Sequence, residues 1–120
     1  MTVNIAAATS IVGKTKVFQM DSTSLVEALE NASSSNTVIK INSVVITNLA
    51  NADADVSGTI SDASGGSDVI IAHLITVPAK TNLVLISADM RIYLEENKAI
   101  NLQASVADRL GYCISYEVIS

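Results

Sequence analysis

A short segment near the start of the chain matches the relaxed pattern of a phosphate-binding loop. In Ala8 to Thr15, ATSIVGKT, an alanine replaces the first glycine of that pattern and GKT ends it. Such a loop needs a strand before it and a helix after it, because backbone amides and the helix N-terminus hold the phosphate. Here Val17, Phe18 and a Ser/Thr cluster follow and do not begin a helix. We therefore predict that this segment binds no nucleotide.

The side chains that could bind a metal lie far apart in the sequence. His73 is inside an apolar run, with no second His and only one Cys to share a transition metal, so we interpret it as a buried or interface histidine. Asp53 with Asp55, and Asp62 with Asp68, could offer oxygen atoms to calcium. The EF-hand spacing is missing, however, and Asp is common in β-turns that hold no ion. The sequence predicts no metal site and no cofactor.

Residues that could act in catalysis are equally isolated. Glu95 and Glu96 are adjacent at a predicted strand end, and adjacent strand residues point to opposite faces, so the two cannot easily work as an acid and base pair. Cys113 has no histidine partner that the sequence indicates, and a small buried thiol is the alternative interpretation. We predict no catalytic residues and no enzymatic activity.

The stretch from Leu83 to Ile119 reads as four consecutive strands. Its apolar residues alternate with polar ones at the two-residue period of a half-buried strand, where a helix would space them three and four apart. The alternating rows are Met90, Ile92 and Leu94; Ile100, Leu102, Ala104 and Val106; and Leu110, Tyr112, Ile114, Tyr116 and Val118. The breaks at 95–98 and 107–109 are short enough to join antiparallel neighbours. This pattern predicts one antiparallel sheet.

Further strands are predicted before that stretch. A short apolar run at Leu25 to Leu29 could form a strand or one turn of helix, and a strand is favoured. The Ser- and Asn-rich residues 31–36 favour a loop. Val38 to Asn48 indicates a central strand whose period slips near Asn42 and Ser43, as at a bulge. The later features are a strand through Val56, Gly58 and Ile60, a hairpin connection at Asp62 to Ser67 with Gly65 and Gly66 together, and an apolar strand at Val69 to Val77 that Pro78 ends.

About eight strands at spacings of roughly ten residues are typical of an all-β fold with two antiparallel layers. We therefore predict an antiparallel β-sandwich, either a jelly roll or an immunoglobulin-like fold. The first residues are small and weakly patterned, so we assign 1–22 to an extended N-terminal arm and 23–120 to a single sandwich domain.

Composition excludes several functional classes. Twelve acidic against seven basic side chains give a net charge of -5, which disfavours nucleic acid and anionic membrane as partners. A single Cys cannot form an internal disulfide, and no apolar run approaches the roughly 18 residues of a membrane span. Residues 1–10 lack the order of a signal peptide, so we expect the protein to stay where it is made or to be packaged there.

Two predicted strands are apolar on both faces, and this is the most informative feature of the sequence. Val69 to Val77 and Val38 to Ile46 carry aliphatic side chains on both faces, whereas a simple two-layer sandwich in water should keep one face polar. Part of the outer surface is therefore expected to be covered by other subunits.

The order of the segments resembles the small β-sandwich virion proteins of tailed bacteriophages, particularly marine and cyanobacterial phages. Four segments carry the resemblance: INSVVITNLAN at Ile41 to Asn51, ITVPA at Ile75 to Ala79 with LVLI at Leu83 to Ile86, IYLEENKAINLQAS at Ile92 to Ser105, and ISYEVIS at Ile114 to Ser120. Such proteins usually have LEEGD where this chain has LEENK, so Asn97 and Lys98 replace Gly-Asp and change the turn.

The resemblance implies a structural role on the particle without enzymatic activity. The leading hypothesis is a capsid decoration or cement protein. It would form a homo-oligomer, for which a trimer is one hypothesis, and it would bind the major capsid protein or another virion protein. It would be located in the virion, with the capsid surface favoured over the tail, and in the host cytoplasm during assembly. The alternative is a tail, neck or fibre-attachment component.

A carbohydrate- or host-binding module is a less favoured hypothesis, since β-sandwiches often bind sugars. Aromatic side chains that could stack on a sugar ring are scarce. They are limited to Phe18, Tyr93, Tyr112 and Tyr116, and at least two of these are predicted to face the core.

Overall fold

Nine β-strands and two short 3-10 helices make up the computed structural model, which describes residues 4–66 and 68–120. The strands are β1 (Ile11–Gln19), β2 (Val26–Asn31), β3 (Val38–Asn48), β4 (Ala54–Asp62), β5 (Val69–Val77), β6 (Thr81–Ile86), β7 (Ile92–Leu94), β8 (Lys98–Ala104) and β9 (Leu110–Ile119). The helices are Ile5–Ala7 and Ala88–Met90. In the described part of the chain, no helix is long and apolar enough to cross a membrane.

The strands form two antiparallel sheets. Sheet I has the order β1-β9-β3-β6, and β7 also pairs with β3; sheet II has the order β2-β8-β4-β5. Along the chain the strands pass back and forth between the sheets in the manner of a double-sheet jelly roll, with β6 and β7 together occupying one strand position. The predicted antiparallel β-sandwich is confirmed, and the strand order selects the jelly roll over the immunoglobulin-like alternative.

The core lies between the sheets and is built almost entirely from aliphatic side chains. Ile41, Val44 and Ile46 of β3 and Leu110 and Ile114 of β9 are all fully buried from sheet I. They pack against buried residues of sheet II, which include Val56, Ile100, Leu102 and Ala104. β-branched and leucine side chains fit such a pleated interface, so an aromatic-poor sequence can fill it.

The bulge predicted in the central strand is confirmed. The pairing of β3 with β9 shifts register between Ile41 and Ser43, so Asn42 is the extra residue. After the bulge Val44 and Ile46 face the core, just as Ile39 and Ile41 do before it. One inserted residue therefore keeps a strand with an irregular apolar pattern buried on one side along its whole length.

The prediction that Leu83 to Ile119 forms one antiparallel sheet is wrong. Its strands β6, β7 and β9 belong to sheet I, whereas β8 lies between β2 and β4 of sheet II. The short connections on either side of β8 each cross from one layer to the other. Stacked sheets lie only about 10 Å apart, so a short connection can cross between layers as readily as it can close a hairpin.

The segment predicted as an extended arm contains a strand that the sequence pattern does not indicate. Within residues 1–22, β1 pairs with β9 without interruption from Ile11 to Gln19, and all nine of its residues are exposed. It is extended, but it is hydrogen-bonded into sheet I. Residues 1–3 of the predicted arm and Ser67 of the predicted hairpin connection lie outside the described residues.

Candidate functional site

Among the described strands, β5 at one edge of sheet II carries the most exposed large hydrophobic side chains. Five of its side chains are 39 to 63% exposed: Val69, Ile70, Ile71, Leu74 and Ile75. By register with β4, Ile70 lies opposite Thr59 on the outer face, and Val69 lies opposite Ile60 on the inner face. Both faces of β5 are therefore apolar and both are accessible, which is the arrangement that the sequence predicts for this strand.

The inner face of β5 opens at the side of the sandwich. A Cβ atom added to Gly58 of β4 would lie 3.6 Å from Ile71 Cγ1 and 3.6 Å from Leu85 Cδ2 of sheet I. Ile71 therefore points between the sheets, yet it remains 40% exposed. The core is thus incompletely covered along the edge where β5 and β6 face each other.

Two irregularities shape β5. Its register with β4 shifts on each side of Gly58. On one side Ile71 is an extra residue of β5, and on the other side both His73 and Leu74 lie opposite the single residue Ser57. Leu74 has a φ of 48°, and its amide N donates to Ser57 Oγ at 2.9 Å. A positive φ at a bulky residue is uncommon, and here the bulge supplies the hydrogen bond that holds it.

These bulges border a groove of about 390 Å³ on the outer face of sheet II. The hydroxyls of Thr23, Ser57, Thr59 and Ser105, the Gln103 carboxamide and the His73 imidazole line it, together with the aliphatic Ile70 and Leu74. His73 was predicted to be buried or at an interface; it is exposed in this chain. Among the described residues that line the groove there is no Tyr or Phe, so they offer no ring of the kind on which sugars commonly stack.

The ATSIVGKT segment does not form a phosphate-binding loop. From Ile11 onward its residues belong to β1, and their register with β9 is regular from Ile11↔Ile119 to Gln19↔Gly111. The backbone of Gly13, Lys14 and Thr15 is therefore extended and has no helix after it. The arrangement that would hold a phosphate is missing from this described part of the chain.

The carboxylates considered for calcium mostly fix turns and strand ends. Asp53 Oδ1 accepts from the Ala79 amide at 2.9 Å, and Asp55 Oδ1 accepts from Thr76 Oγ1 at 2.8 Å. Asp62 pairs with Lys98 Nζ at 2.6 Å, while Asp68 is exposed beside β5. Within residues 4–66 and 68–120, no three His, Cys, Asp or Glu side chains lie close enough together to hold a metal.

The residues considered for catalysis and stacking do not converge. Glu95 is exposed and Glu96 half-buried in the β7–β8 connection, and the half-buried Cys113 lies on β9. Tyr112 is 3% exposed, and burial raises the pKa of its hydroxyl above the ordinary value of 10.0. The Phe18 ring packs against it, with ring centroids 5.7 Å apart and an interplanar angle of 38°. Tyr116 also packs against the core, so two of the aromatic rings face inward as predicted.

Two buried asparagines link the sheets, and the apolar pattern of the sequence does not indicate them. Asn31 Nδ2, at the end of β2, donates to Leu94 O at 2.9 Å and to Thr37 O at 3.0 Å. Asn48 Nδ2, at the end of β3, donates to Val77 O at 3.0 Å and to Ala52 O at 2.9 Å. An Asn that directly follows a run of core residues and precedes a turn is the sequence signal that could have found them.

A small acidic cluster lies on β2. A hydrogen bond to Glu30 is the main cause that raises the pKa of Glu27, with smaller contributions from burial and from repulsion by the Glu30 charge. The nearby charge of Lys16 on β1 acts in the opposite direction. The charge of Lys16 therefore acts on Glu27 between the edge strands β1 and β2, on the side of the sandwich opposite β5 and β6.

Comparison with known proteins yields structural likeness only. No protein-family model and no curated protein matches the chain. Among solved structures, the coat protein of Tobacco streak virus is similar with a TM-score of 0.41 at 13% identity, over 93% of this chain and 87% of that chain. A dimer structure of the same coat protein gives 0.36 at 14% identity, over 90% and 86%. Likeness at this level carries no argument about function.

Proposed function

We propose that the protein is a non-enzymatic structural component of a phage virion, a decoration or cement protein that stabilises the capsid through contacts between subunits. The observation that carries the proposal is the exposed apolar strand β5. Monomeric soluble proteins rarely leave a large contiguous apolar patch in water, and such patches mark contacts with other molecules. Here five consecutive or nearly consecutive side chains between Val69 and Ile75 are each more than a third exposed.

The energetics favour association through this strand. Fully burying one Val, Leu or Ile side chain stabilises a protein by about 1.5 to 3 kcal/mol. Because these side chains are roughly half exposed, burying the rest of each in an interface would contribute roughly half of that free energy. Five of them together supply several kcal/mol before the cost of association is subtracted. A closed homo-oligomer is the simplest way to cover one such strand in every copy, and a trimer is our proposal for it.

The particle context comes from the resemblance of the segments between Ile41 and Ser120 to small virion proteins of tailed phages. The jelly roll does not choose between hypotheses by itself, because capsid proteins and lectins both use it. The major capsid protein or another virion protein is the proposed partner, and residues 1–22 are proposed to contribute to that attachment. The protein would reside in the virion after assembly in the host cytoplasm.

A tail, neck or fibre-attachment component is the alternative within the same class. Both hypotheses use the exposed apolar strand and differ in the number of copies in each particle. A copy number comparable to that of the major capsid protein favours decoration of the capsid, whereas a far smaller number favours the tail or neck.

A threonine variant of β5 tests the role of this strand. Val69→Thr, Ile70→Thr and Ile71→Thr together remove apolar surface while keeping the β-branched side chains that suit a strand. We expect the unchanged protein to sediment as an oligomer at micromolar concentration and the triple variant to sediment as a monomer. The variant should also lose attachment to particles stripped of the native protein.

The matched control is Val84→Thr, which alters a side chain 57% exposed on the outer face of sheet I, opposite Val45. It should keep the oligomer and the attachment. A triple variant that assembles and attaches like the unchanged protein would remove β5 from the proposed function.

A further inference from the structure

The outer edge of β1 presents an ordered row of backbone hydrogen-bonding groups. Just before the strand, Ser10 and Ser120 exchange two backbone hydrogen bonds, each 2.9 Å long, and just after it Met20 N donates to Leu110 O at 2.8 Å. In an antiparallel pair, such hydrogen-bonded positions alternate with positions whose N–H and C=O point the other way. The even-numbered residues of β1 therefore bond to β9. Those directed away from it are Ile11, Gly13, Thr15, Val17 and Gln19.

The other sheet edges in the described chain are less suited to accept a further strand. β2 has six residues and a register shift between Glu27 and Leu29, and β6 has six residues and a shift opposite Val44 and Val45. β5 has two bulges. Bulges and short length are the features by which sheet edges avoid pairing with other chains. β1 is nine residues long, and its pairing with β9 is regular throughout.

The charges on β1 disfavour a second copy as the added strand. Lys14 and Lys16 lie in one row, opposite Tyr116 and Ile114 of β9. A two-fold antiparallel pairing of β1 with itself places opposite each other residues that point to the same face. In the three registers with the greatest overlap, Lys14 meets Lys14, Lys14 meets Lys16, or Lys16 meets Lys16. Like charges directly opposite each other destabilise a strand pair.

We propose that this edge of β1 accepts an extended segment of another protein, with carboxylates at alternate positions that lie opposite Lys14 and Lys16. Backbone hydrogen bonds from the five outward-directed residues would hold the segment, and the lysine row would select its charge. On the opposite face of β1, Ile11 and Val17 are 61% and 70% exposed and would pack against its apolar side chains. The inference deepens the proposed function by naming the chemistry of the partner, and it rests on that function only for the partner's place in the particle.

The test uses the full chain and two synthetic peptides of nine residues with blocked ends. One has Glu at its fourth and sixth positions and Thr or Val elsewhere, and the other has Lys at those two positions. Hydrogen exchange of individual amides is followed by NMR. The Glu peptide should slow exchange of the Ile11, Thr15 and Val17 amides at least several-fold, while the Lys peptide should leave them unchanged.

Two sets of variants separate edge pairing from other modes of binding. Thr15→Pro removes one outward-directed N–H without touching the bonds to β9, so it should abolish the effect of the Glu peptide, whereas Thr15→Val should preserve it. Exchanging the charges with Lys14→Glu and Lys16→Glu should transfer the preference to the Lys peptide, and this variant keeps the test decisive if the proline variant fails to fold.

Equal responses to both peptides, no slowing by the Glu peptide, or unchanged binding by a folded Thr15→Pro variant would each overturn the proposal. Slow exchange of the outward amides in the protein alone, when it sediments as an oligomer, would assign the edge to a second copy instead. The copy number in particles tests the proposed function and does not affect the peptide result. The proposed function and the proposed binding at the edge of β1 can therefore fail independently.

Discussion

At the scale of single residues, the structure depends on polar side chains that the apolar pattern does not reveal. Asn31 and Asn48 are 2% and 0% exposed and each bonds two backbone carbonyls, one of which lies in the opposite sheet. Their positions at the ends of β2 and β3 let one carboxamide close a turn and join the layers. The sequence indicated turns nearby, but a side chain's partner in another sheet is set by the fold and cannot be read from local pattern.

Replacing Asn31 should destabilise the domain. Asn31→Leu keeps the volume similar but leaves Leu94 O and Thr37 O without the donor they use, and a buried polar group left unsatisfied costs about 1 to 3 kcal/mol. Urea unfolding should show a lower midpoint with little change in slope. Asn82→Leu, at an exposed position of β6, is the control and should change stability by no more than about 0.5 kcal/mol. Equal midpoints for the two variants would contradict this role for Asn31.

The acidic pair on β2 should contribute to the pH dependence of stability. Because the folded-state pKa of Glu27 is raised above 4.5, the folded protein holds its proton more tightly than the unfolded chain does. The group therefore favours folding below that value, and this contribution is lost as pH rises through the folded-state pKa. Glu27→Gln should raise the melting temperature relative to the unchanged protein more at about pH 7 than at about pH 4. A pH dependence of the variant that runs parallel to that of the unchanged protein would contradict the coupling.

At the scale of elements, the sequence predicted most strands because their apolar residues repeat every two positions. It also predicted the bulge in β3, since a slipped period within one buried strand needs an extra residue. It did not assign β1, because nine exposed residues with no buried row carry no period that burial would impose. It also placed β8 in the wrong layer, since local pattern indicates that a strand exists without indicating which sheet it joins.

The difference in packing between β9 and β1 can be measured by shortening one side chain in each strand to alanine. Ile114 of β9 is fully buried between β1 and β3, and Ile114→Ala should destabilise the domain by about 2 to 5 kcal/mol through lost contacts and a cavity. Val17 of β1 is 70% exposed, so Val17→Ala should change stability by about 0.5 kcal/mol or less. Thermal unfolding of the two variants compares them directly. A similar loss for both would mean that β1 is packed more tightly than its exposure indicates.

At the scale of the whole molecule, the described chain is an elongated jelly roll of 48 × 26 × 20 Å. Two of its surfaces are suited to contact other molecules. One is the apolar strand β5 beside an open side of the core, and the other is the regular edge of β1. The sequence predicted the first from a strand that is apolar on both faces. It could not predict the second, because the direction of each N–H and C=O depends on how β1 pairs with β9.

If the protein is a structural part of a virion, it must be abundant in purified particles. Quantitative mass spectrometry of particles, made where the chain is expressed and separated from free protein, would compare its copy number with that of the major capsid protein. We predict a copy number of the same order as that of the major capsid protein. Absence of the chain from purified, infectious particles would contradict the account.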